Sequence, residues 1–230
     1  MADEPLAFSP DHFSGIARVF PLPNVVMFPH VMQALHIFEP RYRALFEEAV
    51  EDDRLIALGV LAPGWEKQQE ERPRLRSTAC LCRIATHQRT PQGTYNVLLL
   101  GVRRLRLIRE LPPKKLFREI EAEILEDHEP DEAEPTTATA LQQRLLAAFK
   151  AALPKIPQAY EQLDQLLGSQ ITLGMLTDIV AYTLDIDLDA KVRLLAETDV
   201  VLRTRLLLEV IAGRGPGGGG RPFPPEFSRN

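Results

Sequence analysis

Between residues 13 and 127 the chain alternates short apolar runs with proline, glycine and charged clusters, a β-rich pattern. The stretch FPLPNVVMFPHVMQALHIFEPRYRALFEEAV, residues 20 to 50, is the most apolar and the most interrupted, with Pro21, Pro23, Pro29 and Pro40 inside it. Each proline fixes φ and removes a donor, so the run divides into short extended pieces, Arg18 to Phe20 and Val25 to Phe28. Met32 to Phe38 reads as a strand with Leu35 and Ile37 on one face and His36 and Phe38 on the other. Pro40 suits the first turn of a helix, where its missing N–H costs little. In that helix Tyr42, Leu45, Phe46 and Ala49 fall at i, i+3, i+4 and i+7, one apolar stripe.

Leu55 to Leu61 is a further apolar strand, and residues 66 to 76 are charged enough to be an exposed loop. Ser77 to His87 and Thr94 to Leu107 flank RTPQGT, which predicts a long hairpin turning at Pro91 and Gly93. Gly101 marks a bulge or bend in its second strand. Leu116 to Leu125 closes the region with Ile120, Ala122 and Ile124 alternating against Phe117, Glu119, Glu121 and Glu123.

After EDHEPDEAEP the period becomes helical. Leu141, Leu145, Leu146, Phe149 and Leu153 form one stripe, stopped by Pro154 and Pro157. A second piece runs from Tyr160 to Gly168, and a third uses Leu173, Leu176, Ile179, Val180 and Leu184. A fourth is capped by Asp187, and the last runs from near Thr198 through Val210. The expected domains are a flexible N-terminus, 1–12; a β-rich domain, 13–127; an acidic linker, 128–135; a helical bundle, 136–213; and a disordered Gly/Pro tail, 214–230.

Composition narrows the function classes. The chain has 230 residues and a net charge of −5, so it offers no global attraction to nucleic acid or anionic lipid. No apolar run approaches the roughly 20 residues that span a bilayer, and the N-terminus lacks a signal-peptide pattern. The two cysteines make no disulfide framework, and the expected location is cytoplasmic. Phosphate-loop, HExxH and GxSxG patterns are absent. DEAE at 131 to 134 sits in a linker, where it cannot present a carboxylate to a metal-bound nucleotide. Cys80 and Cys82, two apart on a strand, read as buried thiols, and Asp52 and Asp53 read as solvated. No catalytic residue, metal or cofactor is expected.

One charge cluster stands out: between Arg103 and Arg118 lie seven basic residues against one acid, Glu110. Arg104, Arg106, Lys114 and Lys115 are the residues that would meet phosphates. The competing reading is a solvated strand face whose charges pair with the acidic helix end, 47 to 53.

FPLPNVVMFP, then LHIFEPRYR, then GVRR at Gly101 to Arg104, resemble the N-terminal substrate-binding domain of Lon proteases. The signature positions are Glu39, Pro40, Arg41, Tyr42, Arg43, Gly101, Arg103 and Arg104. The helical run Leu176 to Ile211 resembles the part that follows the β-domain in that family, and His30 stands where the family usually has glycine. The resemblance implies an α+β fold, a PUA-like β pseudo-barrel followed by an α-helical bundle. It implies recognition of unfolded or exposed protein segments, as adaptor or holdase, with a separate protease or chaperone as a possible further partner. Lon continues into ATPase and Ser–Lys peptidase modules that this sequence does not show, so a stand-alone, non-enzymatic form is expected. Such binding needs apolar surface, for which Pro23, Met27, Pro29, Met32 and Trp65 are candidates. An RNA-binding PUA-like module using 103–118, or a small-ligand domain, is the alternative; nucleic acid is disfavoured by the overall charge, and a membrane partner is not expected.

Overall fold

The structure, a computed structural model, describes residues 9–10, 13–67, 72–130, 135–152 and 171–213. They fall into two compact units that divide between Leu125 and Glu126. The expected second helical piece, Tyr160 to Gly168, the DEAE string, the Gly/Pro tail and most of the N-terminus lie outside the described residues.

The first unit contains β1 (Ile16–Leu22), β2 (Met32–Ile37), α1 (Pro40–Glu51), β3 (Leu55–Leu61), β4 (Leu75–Arg89), β5 (Tyr95–Glu110) and β6 (Arg118–Leu125). The sheet order is β2-β5-β4-β3-β1-β6, and β5 pairs with β6 as well. That extra pairing closes β1, β3, β4, β5 and β6 into a ring, with β2 attached to β5. One strand reaches three partners because β5 bends at two register shifts, opposite Leu81/Cys82 and between Leu107 and Arg109. The expected pseudo-barrel is present. Its interior holds Ala17, Val19, Leu55, Ala57, Ala79, Leu81, Val102, Leu105, Ile120 and Ala122. Every residue of β3 is buried, as a strand covered on both faces requires. Cys80 and Cys82 are free and buried on β4.

α1 forms where the pattern placed it. Pro40 opens it, and Tyr42, Leu45, Phe46 and Ala49 are its buried residues. The helix packs on β1 and β3, and Tyr42 stacks on Phe20 with ring centroids 4.2 Å apart. Proline at 21 is tolerated because β6 pairs with β1 only from Ile16 to Val19, so β1 is an edge there.

Val25 to Phe28, expected as an extended piece, is not part of a strand. It is a loop whose Val26, Met27 and Phe28 are buried. Its apolar run resembles that of a strand, but its chain turns instead, with His30 at a φ of 65°. The arch is fastened at Gly101. The His30 amide donates to the Gly101 carbonyl (2.8 Å), and the Gly101 amide donates to the Val31 carbonyl (2.9 Å).

The expected solvation is corrected for Asp53, whose side chain is largely covered, while Asp52 is exposed as expected. The side chain of Arg18 binds Glu48 (2.9 Å) and Asp53 (2.7 Å), and also Asp52. Lys115 joins from the loop before β6, 2.8 Å from Glu48 and 2.9 Å from Glu119. Burial works against ionisation of Glu48, but the hydrogen bonds from Lys115 and Arg18 outweigh it and hold its carboxyl below the ordinary range. A carboxyl depressed on folding contributes stability above its unfolded pKa and loses that contribution as pH falls through the folded value. Glu48→Gln is therefore expected to destabilise the protein near neutral pH, with the difference from wild type shrinking below about pH 4. Urea titrations across pH measure it; a pH-independent difference would assign the loss to packing.

The second unit contains α2 (Pro135–Ala152), α3 (Leu173–Thr183), α4 (Leu188–Ala196) and α5 (Val200–Ala212). α5 contacts the other three. Asp187 and Asp199 cap α4 and α5, each side chain accepting from backbone amides of its helix's first turn. The acidic segment expected as a linker is attached here by its first residues. The His128 amide donates to the Thr198 carbonyl (2.8 Å), and the Val200 amide to the His128 carbonyl (3.2 Å). Fully buried Arg203 holds Asp127 with two bonds of 2.6 and 3.1 Å and donates to the Glu197 carbonyl at 2.7 Å. Its Nε lies 3.5 Å from fully buried Asp178. Glu129 adjoins this cluster, and burial, with Asp127 adding to it, pushes its carboxyl pKa up.

Candidate functional site

The β-unit carries an open groove of about 940 Å³. It is assembled from segments distant in sequence: the end of β1, the start of α1, the end of β3, and the loops before β4 and β6. Its apolar walls are Pro21, Pro23, Pro40, Tyr42, Trp65 and Pro73, with Leu61, Leu116 and Phe117 beside them. Glu39, Arg41, Arg72, Lys115 and Arg118 supply the charge.

Local structure fixes these walls. The Glu39 carbonyl accepts from the Tyr42 and Arg43 amides at 3.0 and 2.9 Å, starting α1. That start turns Tyr42 inward onto Phe20, while Arg41 stays outside, its guanidinium 4.5 Å from the Tyr42 ring centre and paired with Glu39 at 2.8 Å. Trp65 opens a short 3₁₀ turn, Trp65–Lys67. Phe117 is buried, which leaves its neighbour Leu116 69% exposed. Arg118, next in sequence, grips Glu110 through two bonds of 3.0 and 2.5 Å and donates to the Pro73 carbonyl at 2.7 Å.

The sequence candidates divide. Pro23 and Trp65 line the groove, together with the signature residues Glu39 to Tyr42. Met27 is 1% exposed and Pro29 is buried, so neither offers surface, because both lie in the arch held to Gly101. Met32 is 50% exposed at the start of β2 and does not line the groove. Leu116 and Phe117 also line the groove and were not among the sequence candidates. Leu116 is exposed directly after the two lysines of PPKKLF, whereas Phe117 is buried.

Three of the four residues considered for phosphate are buried or paired. Arg104 is 2% exposed, which removes it from contact with a nucleic acid backbone. Arg106 binds Glu123 at 2.5 Å and Lys115 binds Glu48 and Glu119. Arg103 donates to its neighbour's carbonyl at 2.8 Å. Lys114 is exposed. Among the described residues no group of His, Cys, Asp and Glu has the arrangement to hold a metal ion. No described helix is long and apolar enough to cross a membrane.

The sequence matches the profile of the ATP-dependent protease La (LON) substrate-binding domain over residues 16–213. The chain belongs to the Lon substrate-binding domain family. Among curated relatives, Lon protease of Xanthomonas oryzae is 26% identical over 216 residues, covering 92% of this chain and 24% of that protein. Lon protease 2 of Myxococcus xanthus is 26% identical over 200 residues, covering 85% of this chain and 23% of its own length. The chain thus spans about a quarter of these relatives, and the matched part of Lon is the substrate-binding part, not the catalytic one. Two solved structures share the fold. The Lon N-terminal domain protein of Xanthomonas campestris aligns with a TM-score of 0.58 at 20% identity, over 84% of this chain and 97% of that one. The N-terminal domain of Mycobacterium avium complex Lon protease aligns at 0.63 and 18%, over 86% and 99%.

Proposed function

We propose that this member of the Lon substrate-binding family recognises exposed or unfolded polypeptide segments through the groove between Pro23, Tyr42, Trp65 and Leu116, as adaptor or holdase and without chemistry of its own. The observation that supports this most is the groove itself. An open trough walled by prolines and aromatics, with Leu116 69% exposed at its edge, offers apolar contact without a deep pocket. Clients that share little beyond exposed hydrophobicity need that kind of surface. Rigid prolines and rings present area at little entropic cost, since few rotamers must be frozen on binding. A separate protease or chaperone that receives the client belongs to the same proposal.

The test compares binding of reduced, carboxymethylated α-lactalbumin, a permanently unfolded chain, to wild type and to groove variants. Leu116→Asp and Trp65→Ala are each expected to weaken binding about tenfold, in line with roughly 1–2 kcal/mol per buried anchor. Leu116 is exposed, so its replacement should leave thermal stability within about 0.5 kcal/mol. Met32→Asp, on β2, is the control expected to bind normally. Equal binding by both groove variants would remove the groove from the proposal.

A further inference from the structure

Two segments that line the groove belong to no strand: Arg72 and Pro73, before β4, and Lys115 to Phe117, before β6. β4 and β6 are not neighbours in the sheet order, so no ladder fastens one segment to the other. Each is tied to nearby backbone instead. The Ala62 amide donates to the Arg74 carbonyl (2.8 Å), and the Leu111 amide donates to the Glu119 carbonyl (2.8 Å).

Side chains make the connection between the segments, and they cross. Arg118, the first residue of β6, donates to the Pro73 carbonyl at 2.7 Å. Arg72 returns the bond, donating to the Lys115 carbonyl at 3.2 Å. Glu110 accepts from both guanidiniums, twice from Arg118 at 3.0 and 2.5 Å and once from Arg72 at 3.3 Å. The Arg118 side chain is 10% exposed, so its bonds are largely shielded from water. Two bridges of opposite direction, joined through one carboxylate, resist sliding as well as separation. The two-pronged contact of Arg118 with Glu110 adds fixed geometry.

We propose that this crossed pair sets the spacing of the two lining segments, and that Glu110, which does not itself line the groove, is a positioning residue for polypeptide binding. This rests on the reading of the groove as the polypeptide site and adds a residue outside the lining on which that site depends. A surface already held in its binding geometry loses less conformational freedom when a client arrives. Releasing the pair therefore weakens binding although every apolar contact residue is still present.

The test measures binding of reduced, carboxymethylated α-lactalbumin to the full chain carrying Glu110→Ala, Arg72→Met, or both. Each single variant is expected to weaken binding about fivefold, and the double variant at most about twofold further, because all act on one device. For Glu110→Ala the sign separates positioning from charge. The client's carboxymethyl groups are acidic, so loss of the Glu110 carboxylate would tighten binding if charge alone governed it, most of all at low salt. The expected weakening instead persists in about 0.5 M salt. Urea titrations give each variant's folded fraction, and affinities are compared per folded molecule, so lost stability cannot imitate lost positioning. Unchanged or tighter binding by Glu110→Ala, or losses that multiply in the double variant, would overturn the inference. If Trp65→Ala and Leu116→Asp weaken binding while these variants do not, the groove reading stands and the positioning role fails. If none of the four replacements changes binding, both fail.

Discussion

Gly101→Ala is expected to cost about 3–5 kcal/mol, a large share of the 5–15 kcal/mol that holds a typical domain folded. A Cβ at this position would stand 2.1 Å from the Phe28 carbonyl oxygen and 2.9 Å from its carbon, with Cys80 Sγ at 3.1 Å. The obstacle is mostly backbone, so no side chain can rotate away. Relief requires lifting the arch, which breaks the two hydrogen bonds joining Gly101 to His30 and Val31. It also uncovers Met27 and Phe28, buried residues of that arch. The control is Gly64→Ala. Its added Cβ meets nothing within 4 Å, and only the strain of a φ of 81° remains, about 1 kcal/mol. Urea denaturation followed by Trp65 fluorescence separates the two variants. A Gly101→Ala loss below about 1 kcal/mol would show that the arch is not fastened as described.

The second large effect lies in the helical unit. Replacing Arg203 by Met keeps much of the side-chain volume but removes the charge facing Asp178, whose side chain is fully buried. An uncompensated buried carboxylate costs about 3–5 kcal/mol, while replacing both partners of such a pair by apolar residues is often close to neutral. Arg203→Met alone is therefore expected to destabilise the helical unit by that amount. The double variant Arg203→Met, Asp178→Leu should recover at least half of the loss. Far-UV circular dichroism melts of the single and double variants complete the cycle. Additive losses would mean that the two residues act independently.

Much of this architecture was legible because it is local. The Tyr42, Leu45, Phe46, Ala49 stripe with proline at its first turn can only be a helix packed on one side. The alternation Leu35/Ile37 against His36/Phe38 needs no partner to be read, and the hairpin turning at Gly93 follows from its φ preference. Barrel closure is different. β1 lies parallel to β3, and β5 serves three partners, so the pairing depends on strands far apart in sequence. Val25 to Phe28 shows the ambiguity at its sharpest, since a buried loop and a buried strand present the same apolar run.

The groove was hidden for the same reason. Five separate segments build it, and no one of them looks like a site. Pro23 and Trp65 were found among the candidates because they are apolar residues in turns. Met27 and Pro29 came from the same proline-broken run, yet they are covered. Periodicity likewise put Arg104 and Arg106 on one strand face but carried no information about which of the two is covered. Asp53, just after α1, appeared solvated because its partner, Arg18, sits on β1, far away in sequence. The specific EPRYR element was informative in another way: it connects the helix start to the groove wall through Tyr42, so one short motif serves scaffold and surface together.

Hydrogen exchange with and without reduced, carboxymethylated α-lactalbumin tests the central claim most directly, because it maps the bound region without assuming it. Added protection is expected in the amides of Leu61–Lys67 and of the 114–119 segment, with a smaller effect at the start of α1. Protection confined to β2, around Met32 and Phe38, or to the helical unit, would contradict the assignment of the groove as the client-binding site.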